Sequence, residues 1–167
     1  MGKDFCATPY DTGKPFFYFN DLETLERLKK KYDVEEVELS YQGSEDNHIA
    51  LFDSCYVTSC NFEEYVEYVE GLSYPSEVVA LIYLVGDLNY SLKDAKEKLE
   101  DVCVYPGRAI DYAYDFIDDC YDLDKTMGKL AVYFDYDSFT RDLILGGDVC
   151  EVEFANETFT ITNANGI

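Results

Sequence analysis

The residues of this chain with the most legible chemistry are carboxylates at helical spacing. Glu63, Glu67 and Glu70 fall at i, i+4 and i+7, with Glu64 beside them; Asp111, Asp115, Asp118 and Asp122 fall at i, i+4, i+7 and i+11, with Asp119 alongside. Residues three or four apart stack along one ridge of a helix, and a four-residue step advances about 6 Å. Phosphates follow one another along a DNA strand at a similar distance. Like charges at i, i+4 cost an isolated helix roughly 0.2–0.5 kcal/mol each, so folding by itself gives no reason for such rows. The chemistry they support is electrostatic: a row of anions offered to a basic surface. Asp87 joins the set because it lies in a stretch, Tyr32 to Leu92, that holds thirteen acids and no Lys or Arg. Acids elsewhere in proteins are commonly interleaved with bases that pair across helix turns.

Other chemistries find little support. His48 is the single histidine, so any Ser-His-Asp or Cys-His site would have to use it; its expected place in a strand suits a structural or surface role. No glycine-rich phosphate cradle is present. Asp118, Asp119, Asp122 and Asp124 suggest a Ca²⁺ loop, but the central glycine and the closing glutamate of an EF-hand are missing. No catalytic residue, metal or cofactor is therefore expected, and the chain reads as a binding protein. Two competing classes stay open: a carboxylate- or metal-using enzyme, which would gather its acids in one pocket, and a plain acidic interaction module.

Composition sets the partners. The 35 acids against 13 bases give a net charge of −22 over 167 residues. Bare nucleic acid and anionic lipid repel such a chain, and the natural partner is a basic surface. Duplex DNA carries about one charge per 1.7 Å, so a charge of −22 corresponds to about 37 Å of duplex. Hydrophobic residues at 47% and aromatics at 16% supply a core able to offset the self-repulsion. No secretory leader or membrane span is read, and the six cysteines are expected as reduced thiols of a cytoplasmic protein.

The elements that must position these acids follow from periodicity. The fold class is α+β, an elongated chain of three small subdomains: an N-terminal α+β part over 1–60, a helical middle over 61–104, and a C-terminal α+β part over 105–167. In the first, Tyr10 to Gly13 is a turn, Pro15 to Phe19 an aromatic strand, and Asn20 or Asp21 caps a helix carrying Leu22, Leu25 and Leu28. Val37, Leu39 and Tyr41 alternate as a strand, residues 42–47 turn, and His48 to Phe52 returns as a strand. In the second, Asn61 and Glu64 suggest a capping box, Gly71 ends that helix, Pro75 opens another through Leu84, and Ser91 with Asp94 caps a third. In the third, Ile110, Ala113, Tyr114, Ile117 and Tyr121 make an amphipathic helix and Asp122 to Gly128 a loop. Phe139 and Leu143 mark a helix ending at Gly146-Gly147, and Cys150 to Ile161 is a hairpin turning at Asn156-Glu157.

The third segment also carries a family resemblance. Tyr133-Phe134-Asp135-Tyr136-Asp137, Phe139 and Arg141-Asp142-Leu143, followed by Gly147-Asp148, resemble the C-terminal signature of the ArdA antirestriction proteins, roughly Y-F/I-D-Y-E-A-Y/F-A-R-D-L and a hairpin. Ala109 to Ala113 resembles the helix before it, and Tyr10 to Phe16 a degenerate form of the family's opening motif. The resemblance implies a three-domain homodimer that imitates bent B-form DNA and occupies the DNA-binding groove of type I restriction-modification enzymes, protecting incoming mobile DNA. Tyr133, Phe134 and Tyr136 become possible dimer contacts. An inhibitor of another nucleic-acid-binding defence protein, such as a CRISPR effector, is the alternative. The family's opening Trp is absent, with Phe17 or Tyr18 in its place, and Asp124 to Gly128 replaces its acidic lead-in.

Overall fold

The computed structural model describes residues 5–43, 46–70, 72 and 74–167. Gly71 and the tip of the turn expected over 42–47 lie outside the described residues. The chain divides into two compact units, one up to Glu97 and one from Lys98 to the end. Each mixes helices with a three-stranded antiparallel sheet, an α+β architecture.

In the first unit the sheet order is β2-β1-β3, with β1 at Phe5–Pro9, β2 at Phe17–Phe19 and β3 at Val37–Tyr41. Ala7 faces Phe17 on one side and Leu39 on the other. Central strand β1 breaks strict alternation only where Cys6 and Ala7 are both buried; Thr8 is exposed and Pro9 buried again. Between β2 and β3 runs α1, Leu22–Tyr32. Asp21 caps it, Oδ1 accepting from Thr24 N at 2.7 Å, and Lys29, Lys30 and Lys31 sit in its last turn, where cations suit the helix dipole.

His48 to Phe52 is not the expected return strand but part of α2, Asp46–Ser54. A short apolar run cannot be assigned by periodicity alone. Leu51, Phe52 and Cys55 are all buried, and i, i+1, i+4 is one face of a helix. Next comes α3, Phe62–Glu70, packing Phe62 and Tyr65 inward. The capping box expected there does not form. The single side-chain acceptor oxygen of Asn61 closes the preceding turn instead, taking Thr58 N at 2.7 Å, while its backbone carbonyl starts the helix at Tyr65. Helix α4, Pro75–Ile82, runs into a π turn over Tyr83–Asp87. Val79 through Val85 are all buried, as a helix surrounded by its neighbours must be. Helix α5, Leu92–Lys98, is capped by Ser91 and Asp94.

In the second unit the sheet order is β4-β6-β5, from β4 at Val104–Pro106, β5 at Cys150–Phe154 and β6 at Glu157–Ile161. The hairpin turn is Ala155-Asn156, one residue earlier than expected: both have φ near 60°, as a type I′ turn requires, and Glu157 already pairs with Phe154. Three helices join the sheet: α6 at Ala109–Cys120, α7 at Leu123–Met127 and α8 at Tyr136–Gly146. The loop expected over Asp122 to Gly128 is thus mostly α7, because Asp122 Oδ1 accepts from Lys125 N at 2.9 Å and nucleates a turn. A 3₁₀ stretch, Gly128–Tyr133, follows. Helix α8 stops where Gly147 takes φ 76°, a left-handed cap. The core is Ala109, Ala113 and Ile117 from α6 against Val152, Phe159 and Ile161 from the sheet, whereas Tyr114 and Tyr121, expected on the same face, are 47% and 54% exposed.

Candidate functional site

The second-unit acids ride on α6, and its start is fixed from several directions. Gly107 has φ 151°, a backbone state that favours glycine, and a Cβ there would lie 2.9 Å from the Tyr105 ring. Its carbonyl accepts from the buried Thr160 Oγ1 at 2.8 Å. Glu151 on β5 reaches across to accept the Ala109 N–H at 2.7 Å, placing a carboxylate at the positive end of the helix. Ala109, Ala113 and Ile117 face the core, so the ridge bearing Asp111, Asp115, Asp118 and Asp119 faces solvent, and all four are exposed.

These acids are not equivalent. Asp111 accepts from Arg108 N at 3.2 Å and Nε at 3.3 Å, capping the helix as well as pairing with a cation. Asp115 accepts a 2.6 Å hydrogen bond from Tyr105 Oη. That bond first, then desolvation and the charges of Asp115 and Asp111, push the Tyr105 phenol up to about 12. Asp122 is the cap of α7. Asp118 and Asp119 have no ion pair or hydrogen bond among the described residues. Their row bends at the end of α6 around an open concavity of about 780 Å³, lined also by Asp122, Asp124 and Val132. Among the described residues no group of His, Cys, Asp or Glu is arranged to hold a metal ion.

In the first unit, Glu63, Glu64 and Glu67 are exposed on α3, opposite Phe62 and Tyr65. The Glu70 side chain lies outside the described residues. Glu63 and Glu64 occupy the first turn, where negative charge is favoured by the helix dipole; that offsets part of their mutual repulsion. Glu67 is not without a cation, for Lys96 of α5 stands 3.8 Å away with its Nζ 4.1 Å from the Tyr68 ring centre. Asp87 is exposed at the end of the π turn, yet enough of its surroundings are apolar that desolvation raises its pKa. The field of the rows reaches neighbouring phenols. Tyr68 and Tyr136 are both held above the ordinary value, by desolvation first and then by Glu64, Glu67 and Glu97 in one case and Asp118 and Tyr114 in the other.

Sequence reading missed three partners of these acids. Arg108 lies three residues before Asp111, a spacing that could have been read as a pair. Lys96 on Glu67 and Tyr105 on Asp115 join different elements, and no local pattern announces them. The three aromatics singled out earlier are also unequal. Tyr133 is 79% exposed, whereas Phe134 and Tyr136 are half-buried. Those two rings pack on one another at 4.8 Å, and Tyr136 stacks on Tyr114 at 4.0 Å. Leu130 and Val132 beside Tyr133 are exposed at 60% and 82%.

Among the described residues no helix is long and apolar enough to cross a membrane. A family model described as antirestriction protein (ArdA) matches residues 3–157. No curated protein matches the chain.

Proposed function

This chain belongs to the ArdA antirestriction family, and on that premise we propose that it blocks a type I restriction-modification enzyme by filling the groove that binds DNA. The observation that carries the reading is the placement of the unneutralised acids. Glu63 and Glu64 on α3, and Asp118 and Asp119 on α6, are exposed and have no ion pair among the described residues. A DNA-binding groove is lined with Lys and Arg that ordinarily displace condensed counterions from phosphates. Rows of carboxylates at about 6 Å intervals meet the same cations. The contact surface comprises Glu63, Glu64, Glu67, Glu70, Asp87, Asp111, Asp115, Asp118, Asp119 and Asp122, with affinity spread over many weak pairs and no catalytic residue. Asp111, Asp115 and Asp122 contribute charge while also holding their own helices.

The same proposal takes the chain as a cytoplasmic homodimer of three-subdomain protomers. The exposed Tyr133, with Leu130 and Val132, offers the apolar surface for self-association; Phe134 and Tyr136, half-buried and packed on one another, follow it in the chain.

Competition against duplex DNA for a purified type I enzyme tests the reading. Inhibition should weaken steeply between about 50 and 200 mM salt, as charge-dominated nucleic-acid sites do. Single acid-to-amide changes should each do little, while E63Q/E64Q/E67Q/E70Q and D115N/D118N/D119N/D122N should each reduce inhibition strongly. A flat salt response would refute mimicry, and loss of all activity from one amide substitution would point to a catalytic or metal site.

A further inference from the structure

We infer that the first unit carries a seat for one arginine side chain, formed by Tyr10, Tyr56, Glu38 and Asp53. The arginine would project from the basic surface of the restriction enzyme, so the identity of the partner rests on the function proposed above; the seat itself rests on the cavity.

The cavity holds about 290 Å³ and opens between β3 and the end of α2. That lies just under the roughly 300–1,000 Å³ of typical small-molecule sites, and suits a single long side chain. Its floor is apolar: Leu39 and Phe52 line it and both are buried. At the rim stand Tyr10 and Tyr56, exposed at 66% and 65%. Glu38 and Asp53 complete the lining. Both carboxylates are exposed, and neither has an ion pair or hydrogen bond among the described residues.

Each part answers to one part of arginine. The apolar floor takes the methylene stem, as buried stems of long cationic side chains do elsewhere. The tyrosine faces take the planar guanidinium, which stacks on aromatic rings and is more weakly hydrated than an ammonium. The carboxylates supply acceptors matched to its fork of N–H donors. A lysine would place a compact, strongly hydrated charge against the same rings and gain less.

The backbone at both tyrosines is also tied down. Tyr56 has φ 46°, a conformation in which a bulky side chain is an outlier. It is secured on both sides, its N–H donating to Asp53 O at 3.1 Å and its carbonyl accepting from Asn61 Nδ2 at 3.5 Å. The Tyr10 N–H donates to Glu36 O at 3.5 Å, tying that tyrosine's backbone to the residue just before β3. Backbones fixed beside one mouth spare part of the ordering cost on binding.

The test has two arms on the full-length protein. In the first, the ¹⁵N-labelled chain is titrated with Nα-acetyl-arginine amide, and separately with Nα-acetyl-lysine amide, at constant ionic strength. Saturable shifts are expected at Tyr10, Glu38, Leu39, Asp53 and Tyr56, stronger with the arginine probe. Y10L/Y56L should weaken binding, each ring lost counting for roughly 3- to 30-fold, the worth of a cation–π contact; Y10F/Y56F should keep it. E38Q/D53N, at exposed positions, should weaken it too and decides the matter if the leucine variant fails to fold. Equal shifts from lysine, shifts spread evenly over α3 and α6, or wild-type binding by Y10L/Y56L or E38Q/D53N would overturn the seat. In the second arm the same variants are assayed against a type I enzyme. Steep salt-sensitive inhibition without arginine-specific shifts keeps mimicry and removes the seat. Arginine-specific shifts with salt-independent inhibition keep the seat and remove mimicry.

Discussion

Replacing Glu151 by alanine should loosen the acidic ridge of the second unit from a distance. Glu151 lies on β5, yet its Oε1 accepts the Ala109 N–H at 2.7 Å, and Ala109 is completely buried. Without that oxygen the N–H is left unpaired in a part-buried position. A buried donor left unsatisfied costs about 1–3 kcal/mol, and a carboxylate at a helix N-terminus is worth about 0.3–1 kcal/mol. The two effects reside in one bond and overlap, so E151A should cost about 2 kcal/mol by these ranges. If the second unit melts on its own, Tm should fall by about 8–16 °C; if the whole chain melts as one, by about 4–8 °C. E151Q keeps an acceptor oxygen and should lose only the charge effect, about 0.3–1 kcal/mol. Calorimetry of the wild type and both variants measures this, with amide exchange at Ala109 to Ala113 as the local readout. An E151A protein as stable as the wild type would refute the reasoning; E151Q as damaged as E151A would show that charge, not the bond, is what matters.

Other consequences are checked by titration. The Tyr105 phenol, raised to about 12 chiefly by its bond to Asp115, is protonated in both the folded and the unfolded chain below the ordinary value of 10, and the bond is intact there. Above 10 the unfolded chain ionises first, so this contribution to stability is lost as pH climbs through about 12. D115N should bring one phenol down in an ultraviolet titration, and a curve identical to the wild type would count against the bond. Asp21 and Asp135 are both held below 3.8, first by backbone N–H donation from Thr24 and Ser138 and then by those residues' hydroxyls. Their stabilisation is present above 3.8 and is lost as pH falls through the lower folded values. D21N/D135N should stay folded at neutral pH, since asparagine also caps helices, and should show a flatter loss of stability below that point; an unchanged acid limb in circular dichroism would contradict it.

What the sequence determined by itself was local or cumulative. The α+β class, helix α1 with a cap at Asn20 or Asp21, Ala113 and Ile117 on the buried face of α6, the glycine stop of α8 and the C-terminal hairpin all depend on residues within one or two turns of each other, where backbone geometry repeats. The family was legible for the same reason, because Tyr133 to Leu143 is a contiguous signature. The rows of acid on α3 and α6 were legible because helical spacing projects them onto one ridge. Tertiary structure decided the rest. His48 to Phe52 is helix because Leu51, Phe52 and Cys55 share one buried face, a fact that depends on what lies across the core. Central strand β1 is invisible without its two partners. Whether a given acid carries free charge also depends on distant residues: Lys96 finds Glu67, Tyr105 finds Asp115, and Glu151 leaves its strand to hold a helix. A carboxylate's spacing is written along the chain, but its counterion is chosen in three dimensions.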